Sequence, residues 1–558
     1  MNEPDSAEEI VRYRQMFPVL TVREMSRVAH YGTPLWHRAD ELVVRAGHPT
    51  RGVHVIRSGR VVVEQRDGLG LVTPIVTMEV GNFLGEVGQL SGGPAMVDAR
   101  ADGPVQTLVL DAPRLRALIV AEAELGERLM RALVLRRAGL IDSGQSGVVL
   151  IGGASAAMHR LQNFLRRNAQ PYHQVDVAQN ERASDLVERH LVGSGDVLAV
   201  CPNGFVQVNP GNEELAQALG MAGDADCSEV FDIAIVGAGP AGLSCAVYAA
   251  SEGLRVVVAE CRAFGGQAGA SMRIENYFGF PAGITGQALV EQACAQARKF
   301  GARVMIPSEV VSLDCESLGA EGLFGLHLRD GRQLCARAVI VASGARYRRP
   351  TIADLERFEG RGVWFWASAL EAQLCRGGDV VIVGGGNSAG QAAVFLSQHA
   401  RRVHMLVRGA GLGTSMSSYL IERIGAADNI ELHPFSELSA LEGDPADGLR
   451  AVCWRDSRSQ TDQRHELGHV FLFIGADPET AWLKSCQIEM DGHGFVLTGA
   501  AAGAASPSRA GLETSRRGVF AIGDVRAGSV KRVGGAIGEG AAVVAQIHAY
   551  LAACLELA

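Results

Sequence analysis

The 558-residue chain has eleven cysteines and no C-x-x-C pair among them. The count is odd, and the positions are scattered: Cys201, Cys227, Cys245, Cys261, Cys294, Cys315, Cys335, Cys375, Cys453, Cys486 and Cys554. That set opposes a local redox dithiol, a zinc site and a disulfide framework, and predicts reduced, mostly buried thiols. No apolar run reaches the roughly 18 residues of a membrane span. The opening stretch MNEPDSAEEIVRYRQ has no apolar leader core, so the chain reads as cytoplasmic. Net charge is −9, which argues against nucleic acid or an anionic membrane as partner. No cluster of metal ligands stands out; His404 and His469 sit in strand-like stretches and read as packing residues.

What is present is apolar matter and glycine. Hydrophobic residues make up 47% and charged residues 20%, with 68 glycines, enough for several packed cores. Residues 10–140 carry short alternating segments, Glu41–Arg45, Val53–Ile56, Arg60–Gln65, Val72–Met78 and Thr107–Leu110. They predict a small antiparallel barrel or jelly roll, followed by a helical stretch over Pro113–Arg137. Residues 147–222 read β-α-β-α-β-β-α. Gly223–Glu229 is a polar linker. From there strands alternate with helices to the end, as in stacked dinucleotide-binding domains. Ala500–Ser506, a loop of small residues, carries no functional reading.

Two glycine-rich strand–turn–helix signatures dominate that last region. In the first, Phe231–Val236 is a strand, Gly237 permits a tight turn, Gly239 lets backbone approach a pyrophosphate, Pro240 leads into a helix read over Ala241–Ser251, and Gly242 lets helix and strand pack closely. Glu260 ends the next strand, where an acid accepts ribose hydroxyls. In the second, Asp379–Val383 leads into Gly384, Gly386, Asn387, Ser388 and Ala389. The next strand ends in Arg408 where the first site has an acid. A guanidinium there favours a 2′-phosphate, and so NADPH over NADH; a solvated surface arginine is the alternative. Two such sites in series predict FAD and a nicotinamide nucleotide held face to face.

From about residue 229 to the end, the chain resembles the low-molecular-weight thioredoxin reductases, members of the class-II pyridine nucleotide-disulfide oxidoreductases. Phe264-Gly265-Gly266-Gln267 is similar to their flavin-contacting loop, and Ile274-Glu275-Asn276-Tyr277-Phe278-Gly279 to a second conserved-looking segment. Ala342-Ser343-Gly344, Gly475-Ala476-Asp477-Pro478, Gly523-Asp524 and Lys531-Arg532-Val533 are similar to further family elements. The resemblance implies an FAD-binding domain over 229–347 and 475–558, an NAD(P)H-binding domain over 348–474, and a homodimer. It implies that Asp524 meets the ribitol chain and that the following helix aims its N-terminus at the flavin ring.

The likeness fails at the chemistry. Where that family carries its dithiol, Trp366 and Ala369 stand in the cysteine positions, and Cys375 is the one weak catalytic candidate nearby. The barrel resembles a cyclic-nucleotide-binding domain through Gly81–Leu90, with Gly85 and with Glu86 placed for a ribose 2′-hydroxyl, but the expected Pro-Arg pair reads Pro94-Ala95. Residues 147–222 resemble a glutaredoxin-like module without C-x-x-C, whose Cys201 has no basic neighbour. The fold expected is therefore multidomain: an α+β part, jelly roll then thioredoxin-like, followed by tandem α/β FAD and NAD(P) domains. The activity expected is hydride transfer from NADPH to FAD and on to a disulfide, a quinone or an electron-carrier protein. A ferredoxin or flavodoxin–NADP reductase, an NADPH-reading redox sensor and a cofactor-free scaffold stand as alternatives.

Overall fold

The computed structural model describes residues 7–91, 93–144, 147–190, 193, 195–223, 225–315, 323–413, 415–444, 448–502 and 511–557. Residues 503–506 of the small-residue loop lie outside them.

The N-terminal sheet is antiparallel. Its order is Thr33–His37, Asp98–Leu110, Val53–Arg66, Val72–Met78, with Leu42–Val44 beside the second strand and Phe83–Leu84 beside the third. The sequence predicts Val53–Ile56 and Arg60–Gln65 as two strands; they form one. Gly59, at φ +82°, absorbs the bend while pairing to the neighbour shifts register on either side. The leucine-rich tail that follows is two helices, Ala112–Ala121 and Ala123–Ser143. They cross so closely that a Cβ on Gly126 would lie 2.3 Å from the Ile119 carbonyl oxygen.

The next sheet runs Val206–Val208, Leu198–Val200, Val148–Ile151, Tyr172–Val175, with the last pair parallel and the others antiparallel. Helices Ala156–Arg167 and Glu181–Arg189 are capped by Ser155 and Asn180, whose side chains accept from the third helical N–H. The element order is the one the sequence pattern predicts.

Two larger sheets follow. The first orders Arg303–Met305, Val256–Ala259, Val230–Val236, Gln333–Val341, Phe324–Leu328 and Val310–Asp314, with Val519–Ala521 also pairing with Gln333–Val341. Its parallel strands are apolar on both faces, and a separate buried core fills each side. The second orders Val363–Trp364, His469–Leu472, Asp379–Val383, Arg402–Val407 and Ile430–Pro434, all parallel. A three-stranded antiparallel sheet, Ser436–Asp444, Gly448–Asp456 and Thr461–His465, lies beyond it. The chain crosses between the two large sheets twice. Those crossings, Ala345–Tyr347 and Ala476–Pro478, pair with each other as an antiparallel ribbon.

One expectation fails here. Cys227 bonds to Cys335 and Cys315 to Cys486, across 108 and 171 residues. Spacing along the chain could not show this. Val230 pairs with Cys335 on the adjacent strand, so sheet formation itself delivers Cys227 to its partner, with 4.9 Å between the Cα atoms. By length and composition, residues 533–554 of the last helix, Val533–Leu557, could cross a membrane. In the fold, Val543, Val544 and Ile547 of that helix are fully buried in the core around Pro240–Ser251.

That contact leaves no spare room. A Cβ on Gly540 would lie 2.4 Å from the Ala241 carbonyl oxygen, whereas one on Gly538 meets nothing within 4 Å. Gly540→Ala should therefore cost about 1–3 kcal/mol, read as a lower urea midpoint. Gly538→Ala should be neutral or stabilising, because only its helix propensity changes.

Candidate functional site

The first glycine turn is built by close backbone approach. Gly237 sits at φ +109°, and a Cβ there would be 2.3 Å from the Ala342 carbonyl oxygen. A Cβ on Gly242 would be 2.0 Å from the Gly237 carbonyl oxygen, so the helix must start against the strand end. Gly239 caps helix Pro240–Ser251 with no side chain across its N-terminus and with open space around it. Among the described residues no side chain caps the N–H groups of that first turn, as an anion site requires. Glu260 is buried beside the turn. Its Oε2 accepts the Ala238 N–H at 2.8 Å and its Oε1 the Arg262 N–H at 2.9 Å.

Other predicted residues gather on the same turn. The Gly265 N–H donates to the Ala238 carbonyl at 2.6 Å, and a Cβ on Gly266 would meet Gly239 at 3.4 Å. Gln267 donates from Nε2 to the Ala345 carbonyl at 2.6 Å, at the crossing ribbon that Gly344 enters at φ +67°. Gly523 packs against Ala241 from the other side. Burial raises the Asp524 carboxyl above its usual range, and Lys531, bonded to the Asp524 carbonyl oxygen, opposes that rise. Val533 begins the last helix. Asn276 and Arg532 are exposed, and Arg532 follows Lys531 directly, its carbonyl accepting the Ala536 N–H at 3.0 Å.

The second turn repeats the pattern. Gly384 sits at φ +137°, where a Cβ would be 2.3 Å from the Phe473 carbonyl oxygen. Gly386 caps helix Asn387–Leu396 with no side chain over its N-terminus and open space beside it. Asn387 accepts the Ser417 N–H through Oδ1, and its buried Nδ2 has no partner. Ser388 is exposed and Ala389 fully buried. Arg408 is exposed and pairs with none of the described residues.

The segment in the dithiol position is a closed turn. Trp366 donates from Nε1 to Glu371 Oε1 at 3.1 Å, and the Ser368 N–H donates to Glu371 Oε2 at 2.8 Å. The Ser368 hydroxyl also bonds to Glu371, which is wholly buried. This is a capping box for helix Ala369–Leu374. Cys375, which caps the other end, is buried; desolvation pushes its thiol up to about 11. A thiol held protonated is a poor nucleophile. Cys201 is likewise pushed up to about 12 by burial.

In the barrel, Glu86 is buried and already engaged. Its Oε2 accepts the Gly88 N–H at 2.8 Å and pairs with Arg137 at 3.2 Å, while its Oε1 is buried without a partner. Gly85 precedes it at φ +141° and accepts from the buried Arg136. Ala95 is buried between Ala46 and His48, so no cation occupies its position.

Residues 231–540 match the pyridine nucleotide-disulphide oxidoreductase family. The chain belongs to that family. Residues 34–122 match the cyclic nucleotide-binding domain. Among curated relatives, a thioredoxin reductase of Mycolicibacterium smegmatis is 32% identical over 323 residues, 58% of this chain and 97% of that protein. NADPH-dependent thioredoxin reductase 3 of Arabidopsis thaliana is 31% identical over 328 residues, 58% of each chain. Among solved structures, T. acidophilum thioredoxin reductase aligns with a TM-score of 0.52 at 27% identity, covering 58% of this chain and 99% of that one. The family to which these relatives belong uses FAD and NADPH.

Some residues that shape the family's site here escaped the sequence reading. Glu539, on the last helix, accepts the Gly523 N–H at 2.7 Å and pairs with Arg526 at 2.5 Å. Arg167 donates to the Gly266 carbonyl at 2.6 Å, tying the 156–167 helix to the flavin-type loop. His159 reaches the Gly360 carbonyl at 3.3 Å and stands edge-on to Trp364. No local motif announces such contacts between distant segments. The expectation of no metal-ligating cluster also needs correction: His404, Glu431 and His433 bring one donor atom each within 4.8 Å of the others. Adjacent parallel strands create that meeting, and sequence spacing does not show it. Burial, the leading cause for both, holds His404 and His433 below the usual imidazole range.

Replacing Ala95 with Arg would supply the missing counter-charge. By isothermal titration, Ala95→Arg should bind cyclic AMP at least about 10-fold more tightly than the parent chain, the value of one charge-assisted hydrogen bond.

Proposed function

We propose that this chain is an FAD-dependent NADPH oxidoreductase of thioredoxin-reductase type that delivers electrons from its flavin to an external acceptor. The observation that carries the reading is the pair of uncapped helix N-termini behind strained glycine turns, combined with a redox-silent turn where a dithiol would stand. Gly237, Gly239, Pro240, Ala241 and Gly242 would hold the FAD pyrophosphate, and Glu260 its ribose. Gly265, Gly266, Gln267, Gly344, Gly523, Asp524, Lys531 and Val533 would flank the flavin portion. Asn276 and Arg532, both exposed, would add further contacts to the cofactor. Bound there, FAD supplies the hydride-accepting chemistry that links NADPH to the acceptor.

The protein's own part is positional and electrostatic. The open N-termini offer N–H donors to diphosphates. Gly384, Gly386, Asn387, Ser388 and Ala389 would receive the second nucleotide, with the orphaned Asn387 Nδ2 as a donor. Arg408, unpaired among the described residues, is available for a 2′-phosphate. Glu371 fixes Trp366 and Ser368 so that the former dithiol turn stays rigid. Cys375 is buried behind that turn and serves packing.

Domain limits of 10–140, 147–222, 229–347 with 475–558, and 348–474 suit this reading. The middle module, glutaredoxin-like in strand order, would act as a docking or bridging element, since it touches both nucleotide-binding regions. The reading takes the chain as cytoplasmic and, on its resemblance to the family, as a homodimer. The barrel would report cyclic nucleotide weakly, because Ala95 supplies no charge and Glu86 is already paired with Arg137.

Anaerobic stopped flow with a panel of acceptors (thioredoxin, a quinone, ferredoxin, flavodoxin) tests this. Rapid reoxidation of NADPH-reduced protein by one of them supports the proposal; fast reduction with no productive acceptor supports a sensor instead. Arg408→Gln should raise KM for NADPH about 10-fold or more, the loss of one charge-assisted bond, with KM for NADH unchanged. Cys375→Ser should leave turnover unchanged in the same assay.

A further inference from the structure

Strand Arg402–Val407 and its parallel neighbour Ile430–Pro434 place His404 opposite Glu431, and His433 two residues further along. His404 Nδ1 lies 3.0 Å from His433 Nε2. The Glu431 carboxylate faces both: Oε2 is 3.7 Å from His404 Nδ1 and Oε1 is 3.7 Å from His433 Nε2. Those two separations are too long for hydrogen bonds. They run to the two different carboxylate oxygens. With one donor atom from each residue within 4.8 Å of the others, a small inward turn of the side chains reaches the edge of a tetrahedron around zinc, about 3.3 Å for bonds of roughly 2.0–2.1 Å, the ion replacing the His404–His433 hydrogen bond. The donors belong to two different strands, and His404 is buried while Glu431 is exposed, so the site opens to solvent on one side.

The surroundings are built as well. The Trp454 ring lies 5.5 Å from that of His404 and 5.3 Å from that of His433, and it stacks on His465 at 3.6 Å. This wall limits the orientations of the imidazoles. His465 stands 6.0 Å from His404, ring to ring, and its Nε2 is buried without a partner. Arg402 touches Glu431 Oε2 at 3.4 Å, and both side chains are largely exposed. That contact is weak competition for a divalent ion.

We propose that His404, Glu431 and His433 bind one divalent transition-metal ion of the zinc class, pinning strand Ile430–Pro434 to strand Arg402–Val407. Two imidazole nitrogens and one carboxylate oxygen suit Zn²⁺, Co²⁺ or Ni²⁺ and disfavour Ca²⁺ and Mg²⁺, which take oxygen ligands. Three protein donors leave a coordination position for water. The ion would stabilise the strand whose end carries Arg408, without taking part in hydride transfer.

The test uses the full chain, purified without a histidine tag and stripped with a chelator. Co²⁺ and Zn²⁺ are titrated and followed by cobalt d–d absorption and by calorimetry. One equivalent per chain is expected, with a rise in thermal midpoint. His433→Asn should weaken binding by more than about 100-fold, beyond the 10–100-fold typical of outer-shell changes, and Glu431→Gln should weaken it measurably. Flavin absorbance and circular dichroism verify that both variants fold. No saturable binding, or affinity unchanged in a His404→Asn, His433→Asn double variant that folds normally, overturns the proposal.

Discussion

The constraint on which the structure rests is the tight passage of helix Pro240–Ser251 between two neighbours. At its start, Gly242 lies against the Gly237 carbonyl; along its flank, Gly540 of the last helix lies against the Ala241 carbonyl; and Gly523 meets the Ala241 side chain. Each contact admits no Cβ without displacement. Segments from residues 237–242 and 523–540 are thereby brought to one helix N-terminus, although nearly the whole family region separates them in sequence. That N-terminus is left open by backbone geometry, with no side-chain cap over it. Side chains such as Glu260 and Glu539 then hold the surrounding loops through N–H groups.

The second consequence concerns the route of electrons. In this chain the turn at residues 366–371 is cross-braced by a fully buried carboxylate, and burial favours the protonated thiol of Cys375, the next cysteine in sequence. Residues 366–371 include no cysteine, so this turn offers no exchangeable sulfur. The helix Ala156–Arg167 adds a further restraint, because Arg167 engages the Gly266 carbonyl and His159 the Gly360 carbonyl. One element therefore contacts both nucleotide-binding regions. Its next residues lead to the Ala169 carbonyl, which accepts from Arg137, the same arginine that pairs with Glu86 in the barrel. The barrel and the flavin-type loop are thus linked through a short series of polar contacts.

Much of this was legible in the sequence. Strands Asp379–Val383 and Arg402–Val407, both glycine turns and the βαβαββα order of residues 148–218 follow from apolar periodicity and turn residues. What local pattern could not give was long-range pairing. The disulfides, the His404–Glu431–His433 meeting and the Arg167–Gly266 bond all join segments distant in sequence or on separate strands. Local pattern splits Val53–Arg66 into two strands because Gly59 looks like a turn residue, whereas in the fold it relieves a bend inside one strand.

The central claim is a flavin site served by NADPH with no internal dithiol behind it. Anaerobic titration of the FAD-loaded chain with NADPH, read by flavin absorbance, tests it most directly. The account predicts complete bleaching at about one equivalent of NADPH per flavin, since one hydride reduces the flavin and no disulfide stands in the dithiol position to take a second pair of electrons. Bleaching that needs about two equivalents, or a chain that binds FAD but is not reduced by NADPH, would contradict it.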